Sequence, residues 1–414
     1  MKKNFLQKSF ALFLSAIFVS GFFIPTTANA VISTLNLTSP NGGEEWRGVQ
    51  NITWSGVSDN ASDKIDISYA ADGINFTQLI ASNITFSDFS YSWDTTMLAD
   101  SSSARIRISP SGFPILDDSA AVFMIDNTAP VTAYSIVPGS PDGTNGWYVS
   151  VPTVTLTCGD GSGSGCSATY YKWDGAAGWT TYGGSFSALE GEHVLSFYSE
   201  DQAVDAGGFH NEETVQTETI KVDTTFPTVA VSSTTPDGSY KAGSDINATL
   251  TFSEPVYSTD SITVNFDSGG SCSVPQLNGE TVATCIYTVL PTENSLDLSV
   301  TSISPDSGVV EDIAGNDSTL SPTSNIDDTS DIIIDTTAPS AFTAGTVAVT
   351  GGSVVPGWWN STNTGVDVYV PVANDPSLVG GTIQVQAEAD GAFENVGSAY
   401  TIILGDLAGS VKFL

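Results

Sequence analysis

Asp335-Thr336-Thr337-Ala338-Pro339 decides how this chain divides, because close variants stand at Asp126-Asn127-Thr128-Ala129-Pro130 and Asp223-Thr224-Thr225-Phe226-Pro227. Each copy follows a short apolar run, Phe123 to Ile125, Ile220 to Val222 and Ile332 to Ile334, and ends in proline. Proline cannot donate to a strand ladder, so each copy reads as a last strand closing into a stiff junction. The spacing between copies is about that of one small β-sandwich, which predicts a row of modules and not one large core. The expected boundaries are 31–127, 128–224, 225–336 and 337–414, behind a leader at 1–30.

The leader carries Lys2, Lys3 and Lys8, then an apolar run from Phe10 to Ile24, then Ala28-Asn29-Ala30. Ser15, Ser20 and Gly21 interrupt the run, and small residues close it. This is the pattern of a secretory signal peptide cut after Ala30, not of a membrane span. The mature chain is then expected to start at Val31, with no transmembrane segment, outside the cell or attached to its surface.

Cleavage takes away three of the 11 basic residues, leaving 8 against 46 acidic ones, a formal charge of −38. A surface of that sign repels phosphate backbones and anionic lipid heads and attracts divalent cations, so nucleic acid is not an expected partner. The chain is nonetheless 40% hydrophobic and 10% aromatic, which predicts acidic surfaces on folded cores and not an acidic disordered tail. Four cysteines fall as two close pairs, Cys158 with Cys166 and Cys272 with Cys285, and no CxxC occurs. In an exported chain these read as two disulfides that staple loops, each adding about 2–3 kcal/mol.

Period-2 patterning in the first module, and in the second through Val154, Leu156 and Cys158, predicts an all-β fold. In the first, Ile52 and Trp54 alternate inward. The run from Lys64 to Tyr69 alternates again, turns at Asp72-Gly73 and is expected to return through Ile74 and Phe76. Tyr91-Ser92-Trp93 and Ala104-Arg105-Ile106-Arg107-Ile108 supply further strands. The order Ser39-Pro40-Asn41-Gly42-Gly43-Glu44-Glu45-Trp46, Ile52-Thr53-Trp54, then these strands, resembles the Ig-like module of Kre9/Knh1-like, Ser/Thr-rich cell-wall proteins. The second module, from Asn145 through Tyr170-Tyr171-Lys172-Trp173-Asp174-Gly175 to Asp201, resembles bacterial Ig-like modules found beside carbohydrate-active and adhesive domains. Where that family reads a short D-x-A-G-N turn, this chain inserts residues between Asp201 and Asn211. Its loop from Gly159 to Gly165 has no following lysine or helix pattern and reads as a disulfide-closed turn, not a phosphate cradle.

The third module carries Leu250-Thr251-Phe252-Ser253-Glu254-Pro255-Val256 and Glu311-Asp312-Ile313-Ala314-Gly315-Asn316-Asp317. With the Ile332-to-Pro339 run, these closely resemble the Ig-like repeats of large bacterial surface adhesins. The resemblance implies tandem Ig-like β-sandwiches joined by short Asp-Thr-Thr-Ala-Pro type linkers. The fourth module is short for that class, has no closing motif, and ends in a run from Gly409 to Leu414 that reads like an internal strand. It is expected to be incomplete, the front of something longer.

Catalytic signatures do not emerge. His193 and His210 sit in no HExxH, and no GxSxG, Walker loop or dinucleotide fingerprint occurs. Asp117-Asp118 and Asp327-Asp328 read as solvated loop acids, and Trp147, Tyr148, Trp358 and Trp359 as core aromatics in place of a sugar-stacking platform. Eight Asn-x-Ser/Thr sequons, among them Asn316, arise by chance in so Asn-, Ser- and Thr-rich a chain. The expected function is a non-catalytic adhesive or structural stalk whose partner is a cell-wall or surface polysaccharide or another surface protein. The alternative is a carbohydrate-binding or spacer region of a larger extracellular enzyme. No cofactor is required by the sequence, but calcium is the candidate at the junctions, held by Glu254, Asp312, Asn316, Asp317 and Asp335, and less convincingly by Asp201, Asn211 and Asp223; the alternative is that Asp and Asn stand there only because turns favour them. Turns there gather the hard oxygens that calcium prefers, and the resemblance to adhesin and cadherin junctions points the same way.

Overall fold

The computed structural model describes residues 32–110, 115–338, 345, 347–356, 358–373, 378–389, 392–406, 408 and 410–413. The leader and its cleavage site lie outside the described residues. Among the described residues every regular element is a strand or a short 3-10 turn, and no helix is long and apolar enough to cross a membrane. The chain groups into two compact units, one holding residues up to 135 with 154–186 and 194–219, the other holding 136–153, 187–193 and everything from 220 onward.

In the first unit two sheets face each other. One pairs Ile32–Ser39, Val49–Ser58 and Ser90–Asp94, and the other runs through Gln78–Thr85, Lys64–Ala70, Ser101–Pro110 and Phe123–Ile125. Alternation sets the inward faces: Ala104, Ile106 and Ile108 are fully buried along one strand, opposite Ile65, Ile67 and Tyr69. Trp46, Trp54, Trp93 and Phe123 complete that core. The expected hairpin is corrected in one respect. Asp72-Gly73 does turn, with Asp72 accepting from the amides of Ile74 and Asn75, but the return strand is Gln78–Thr85. Ile74 is 77% exposed, and Phe76 lies under the Arg107 guanidinium at 4.0 Å.

The two-residue strand Glu45–Trp46 continues this sheet. It pairs in parallel with Phe123–Ile125 on one side and, at Trp46, with Val204 of Gly191–Val204 on the other. The residues inserted between Asp201 and Asn211 therefore form an ordered hairpin, Val204 opposite His210, that joins the strand Glu45–Trp46. Arg47 Nη1 donates to the carbonyls of Phe209 at 3.0 Å and His210 at 2.8 Å, the Arg47 amide donates to the Val204 carbonyl at 3.1 Å, and the Ala206 amide donates to Val49 at 3.0 Å. Cys166–Trp173 pairs along Gly191–Val204, and the Cys158–Cys166 disulfide closes the loop before it.

In the second unit the 14-residue strand Asp245–Ser258 pairs with Val229–Ser232 and Asn278–Thr288. Across the core lie Ile262–Phe266, paired with Ser271–Val274 and Val300–Pro305, and Ile332–Asp335, paired with Gly238–Tyr240 and Asn294–Ser295. The Cys272–Cys285 disulfide joins Ser271–Val274 to Asn278–Thr288, which belong to different sheets, so it crosses the sandwich and does more than staple a loop. Beyond it, Val347–Thr350, Gly365–Pro371 and Ser410–Phe413 form a three-stranded sheet over a small core of Val370, Val372, Ile383, Ile402 and Val411. Ser410–Phe413 pairs, among the described residues, with Gly365–Pro371.

Candidate metal centres at two acidic clusters

Three carboxylates from separate parts of the chain converge in each unit. In the first they are Asp126, Asp160 and Asp201, and in the second Asp223, Glu254 and Asp312, with one oxygen from each residue within 4.8 Å of the others.

Asp126 follows the buried strand Phe123–Ile125, and its Oδ2 accepts from the Ser164 amide at 2.6 Å. Asp160 comes from the disulfide-closed loop, whose turn is made by the Gly163 amide donating to the Asp160 carbonyl. Gly163 is required there by space. A Cβ on it would stand 2.5 Å from Asp160 Oδ2 and 2.6 Å from Asp126 Oδ2. Asp201 lies on Gly191–Val204 and is fully buried. The loop from Gly159 to Gly165 is thus more than a staple, since it delivers one carboxylate and the amide that holds another.

The second cluster repeats the arrangement. Asp223 follows the strand Gln216–Val222. Glu254 stands in Asp245–Ser258 where the register with the neighbouring strand breaks between Thr251 and Val256, and Pro255 cannot donate to the ladder there. Asp312 closes an Asx turn, its Oδ1 accepting from Gly315 at 2.7 Å and Asn316 at 2.9 Å, and Gly315 takes φ +96°.

Electrostatics at both clusters disfavour three bare charges. Burial pushes the Asp201 carboxyl up to about 6, with the Asp126 and Asp160 charges adding to the rise and two Asn211 hydrogen bonds opposing it. Burial also raises Asp160, and the Asp126 and Asp100 charges reinforce it. In the second cluster burial raises Glu254, reinforced by Asp223 and Asp312, and raises Asp223, reinforced by Asp312 and Glu190. Among the described residues no lysine or arginine forms an ion pair with either cluster. The donor set suits a hard divalent cation: calcium takes oxygens at about 2.3–2.6 Å, so two of its ligands lie up to about 5 Å apart.

Of the residues expected from sequence, Glu254 and Asp312 come together. Asn316 is 2% exposed beside them, but its Nδ2 is committed to hydrogen bonds, and its sequon is closed to any enzyme acting on the folded chain. Asp317 is exposed and only bridges Glu311 through its backbone. Asp335 stands at the next junction, paired with Asn294, its Oδ1 accepting from the Thr337 amide. Asp201 and Asn211 meet as expected, while Asp223 joins Glu254 and Asp312. Asp126 and Asp160 escaped the sequence reading. The signal that would have found them was the parallel between Asp126 and Asp223 in the repeated junction motif.

Of the two acid pairs expected to be solvated, Asp117-Asp118 is corrected, while Asp327 and Asp328 are both exposed. Asp118 grips Arg107 with both oxygens at 2.7 and 2.8 Å, and Asp117 accepts from the Leu37 amide at 2.7 Å. Asp328 caps a 3-10 turn by accepting from the Asn325 amide. Of the aromatics expected in cores, Tyr148 is buried and Trp147 half-buried near Lys221, but Trp358 and Trp359 are exposed.

No protein-family model matches the chain, and no curated protein does either.

Proposed function

We propose that this is a non-catalytic, exported array of Ig-like sandwiches that serves as an adhesive or structural stalk, stiffened by calcium at its two acidic clusters. The observation that carries the reading is a repeated wiring around different sequences. In each cluster an asparagine amide and carboxamide both donate to the neighbouring aspartate, and the carboxamide also donates to the backbone carbonyl of the aspartate that follows the preceding strand. Each set draws carboxylates from strands on both sides of an Asp-x-Thr-x-Pro junction. A cation held there would offset the mutual repulsion of the acids and tie the flanking strands together.

An acidic chain with a leader and two disulfides fits an extracellular setting after cleavage behind Ala30. A wall or surface polysaccharide, or another surface protein, is the partner class such a stalk would present itself to. The test is thermal melting and small-angle scattering of the mature chain in calcium and in chelator. Calcium should raise the melting temperature and reduce conformational spread, and Asp312→Asn with Asp201→Asn should remove both effects. Identical curves in calcium and chelator would refute the metal.

A further inference from the structure

Trp358 and Trp359 stand 73% and 57% exposed, next to Val354 and Val355, which are about half exposed. None of the four belongs to the core of Val370, Val372, Ile383, Ile402 and Val411. Val355 and Trp358 are paired by a backbone bridge, and large apolar side chains exposed this close together on a charged protein mark a place where something binds.

The loop that carries the rings is held by its own amides. The Trp358 amide donates to the Val355 carbonyl at 3.0 Å. Buried Asn363 donates to the Gly351 carbonyl at 2.9 Å and accepts from the Asn360 amide at 2.7 Å, and Asn360 donates to the Ser353 carbonyl at 2.6 Å. The rings are therefore presented by an ordered scaffold, which lowers the entropy lost when a ligand settles on them.

Charge selects the ligand. Between Asp335 and Asp367 the sequence has no Asp, Glu, Lys or Arg, in a chain with 46 acidic residues. Within this stretch a charged partner would find no counter-charge, and an anionic membrane or nucleic acid would also meet the repulsion of the whole chain. What the loop offers is indole faces flanked in sequence by the hydroxyls of Ser353 and Ser361, both exposed. An uncharged sugar ring is the complementary shape, apolar C–H bonds on one face and hydroxyls around the edge. We propose that Trp358 and Trp359 form a binding site for a neutral polysaccharide, the ring faces stacking on the sugars.

This rests on the reading of the chain as an extracellular adhesive stalk and names its ligand class. The mature full-length chain would be incubated with insoluble cellulose, chitin and β-1,3-glucan, and in parallel with alginate gel and with vesicles rich in anionic lipid. At least one neutral matrix should deplete it. Trp358→Ala with Trp359→Ala should weaken that retention about tenfold or more, the scale of a lost stacked ring, with an unchanged melting temperature, while Trp358→Phe with Trp359→Phe should keep most of it. Failure to bind any neutral matrix, retention unaffected by the alanine pair, or depletion by vesicles alone would each overturn the site. The calcium response in scattering, measured on the same alanine variant, reports on the stalk separately, because the two rings lie outside both acidic clusters.

Discussion

Asn211 donates its carboxamide to the backbone carbonyl of Asp126 at 2.9 Å across 85 residues of sequence, and the same group donates to the Asp201 carboxylate at 2.6 Å. Asn316 repeats this with Asp223 and Asp312, at 2.9 and 2.8 Å. One side chain thus fixes both the path of the chain at a junction and the orientation of a buried carboxylate.

Removing that side chain should cost more than one ordinary hydrogen bond, because a buried carbonyl and a buried carboxylate both lose a donor. Asn211→Ala and Asn316→Ala should each destabilise the protein by about 1–3 kcal/mol. Denaturant melts of each variant, with calcium and with chelator, check this. A loss within error of zero would mean that water replaces the carboxamide freely.

Asp201 gives the first cluster a pH dependence of defined sign. Its folded-state pKa is raised to about 6, above the value near 3.9 of an unfolded aspartate. The fold then binds its proton more tightly than the unfolded chain does. The stability this group contributes is full below pH of about 4 and is lost as pH rises toward about 6. In chelator, the melting temperature of the wild type relative to Asp201→Asn should therefore fall across that window, and calcium should flatten the difference. Parallel curves for the two proteins in chelator would contradict it.

Gly163 should tolerate no side chain. Gly163→Ala places a methyl within 2.6 Å of two carboxylate oxygens held by backbone amides. Relief requires the disulfide-closed loop or one carboxylate to move, at about 1–3 kcal/mol. Gly161→Ala in the same loop meets no atom within 4 Å, although its φ of +52° adds backbone strain. The first variant should lose the calcium response as well as stability, and the second should keep the response.

The sheets were readable in the sequence because their cause is local. The runs Phe123 to Ile125, Ile220 to Val222 and Ile332 to Ile334 all lie in strands, and both cysteine pairs are bonded as their spacing implied. The clusters were readable only in part, because a site built from three distant segments leaves no spacing to detect. Glu254 and Asp312 drew notice through their turn chemistry, but Asp160 looked like an ordinary loop acid until the fold set it beside Asp126. The exposed tryptophans mislead for another reason. Aromatic residues in a sandwich are usually core, and nothing in the pattern around Trp358 and Trp359 distinguishes a buried ring from a presented one. The insertion after Asp201 hid its role because its partners, Trp46 to Gln50, lie more than 150 residues earlier.

That insertion supports a last prediction. Arg47 holds the hairpin through two carbonyls, and Gln50 donates to the Val204 carbonyl beside it, so the sheet holding Phe123–Ile125 runs on into Gly191–Val204 at Trp46 and Val204. The bond to the Phe209 carbonyl is exposed and that to the His210 carbonyl half-buried, so together they contribute about 1–2 kcal/mol, and the Asp205 carboxylate at 3.9 Å adds little at the surface. Arg47→Ala should therefore free the hairpin without unfolding the buried strands around it. Hydrogen exchange at the Ala206 amide, which donates to Val49, should speed up at least tenfold, while the amides of Ile106 and Phe197 in the buried strands stay protected. Arg47→Lys should recover part of the protection, because one nitrogen, Nη1, makes both bonds and an ammonium also carries enough N–H donors for two adjacent carbonyls. If Ala206 exchanges no faster in Arg47→Ala, the strand pairing at Trp46 holds the hairpin by itself and the arginine is incidental.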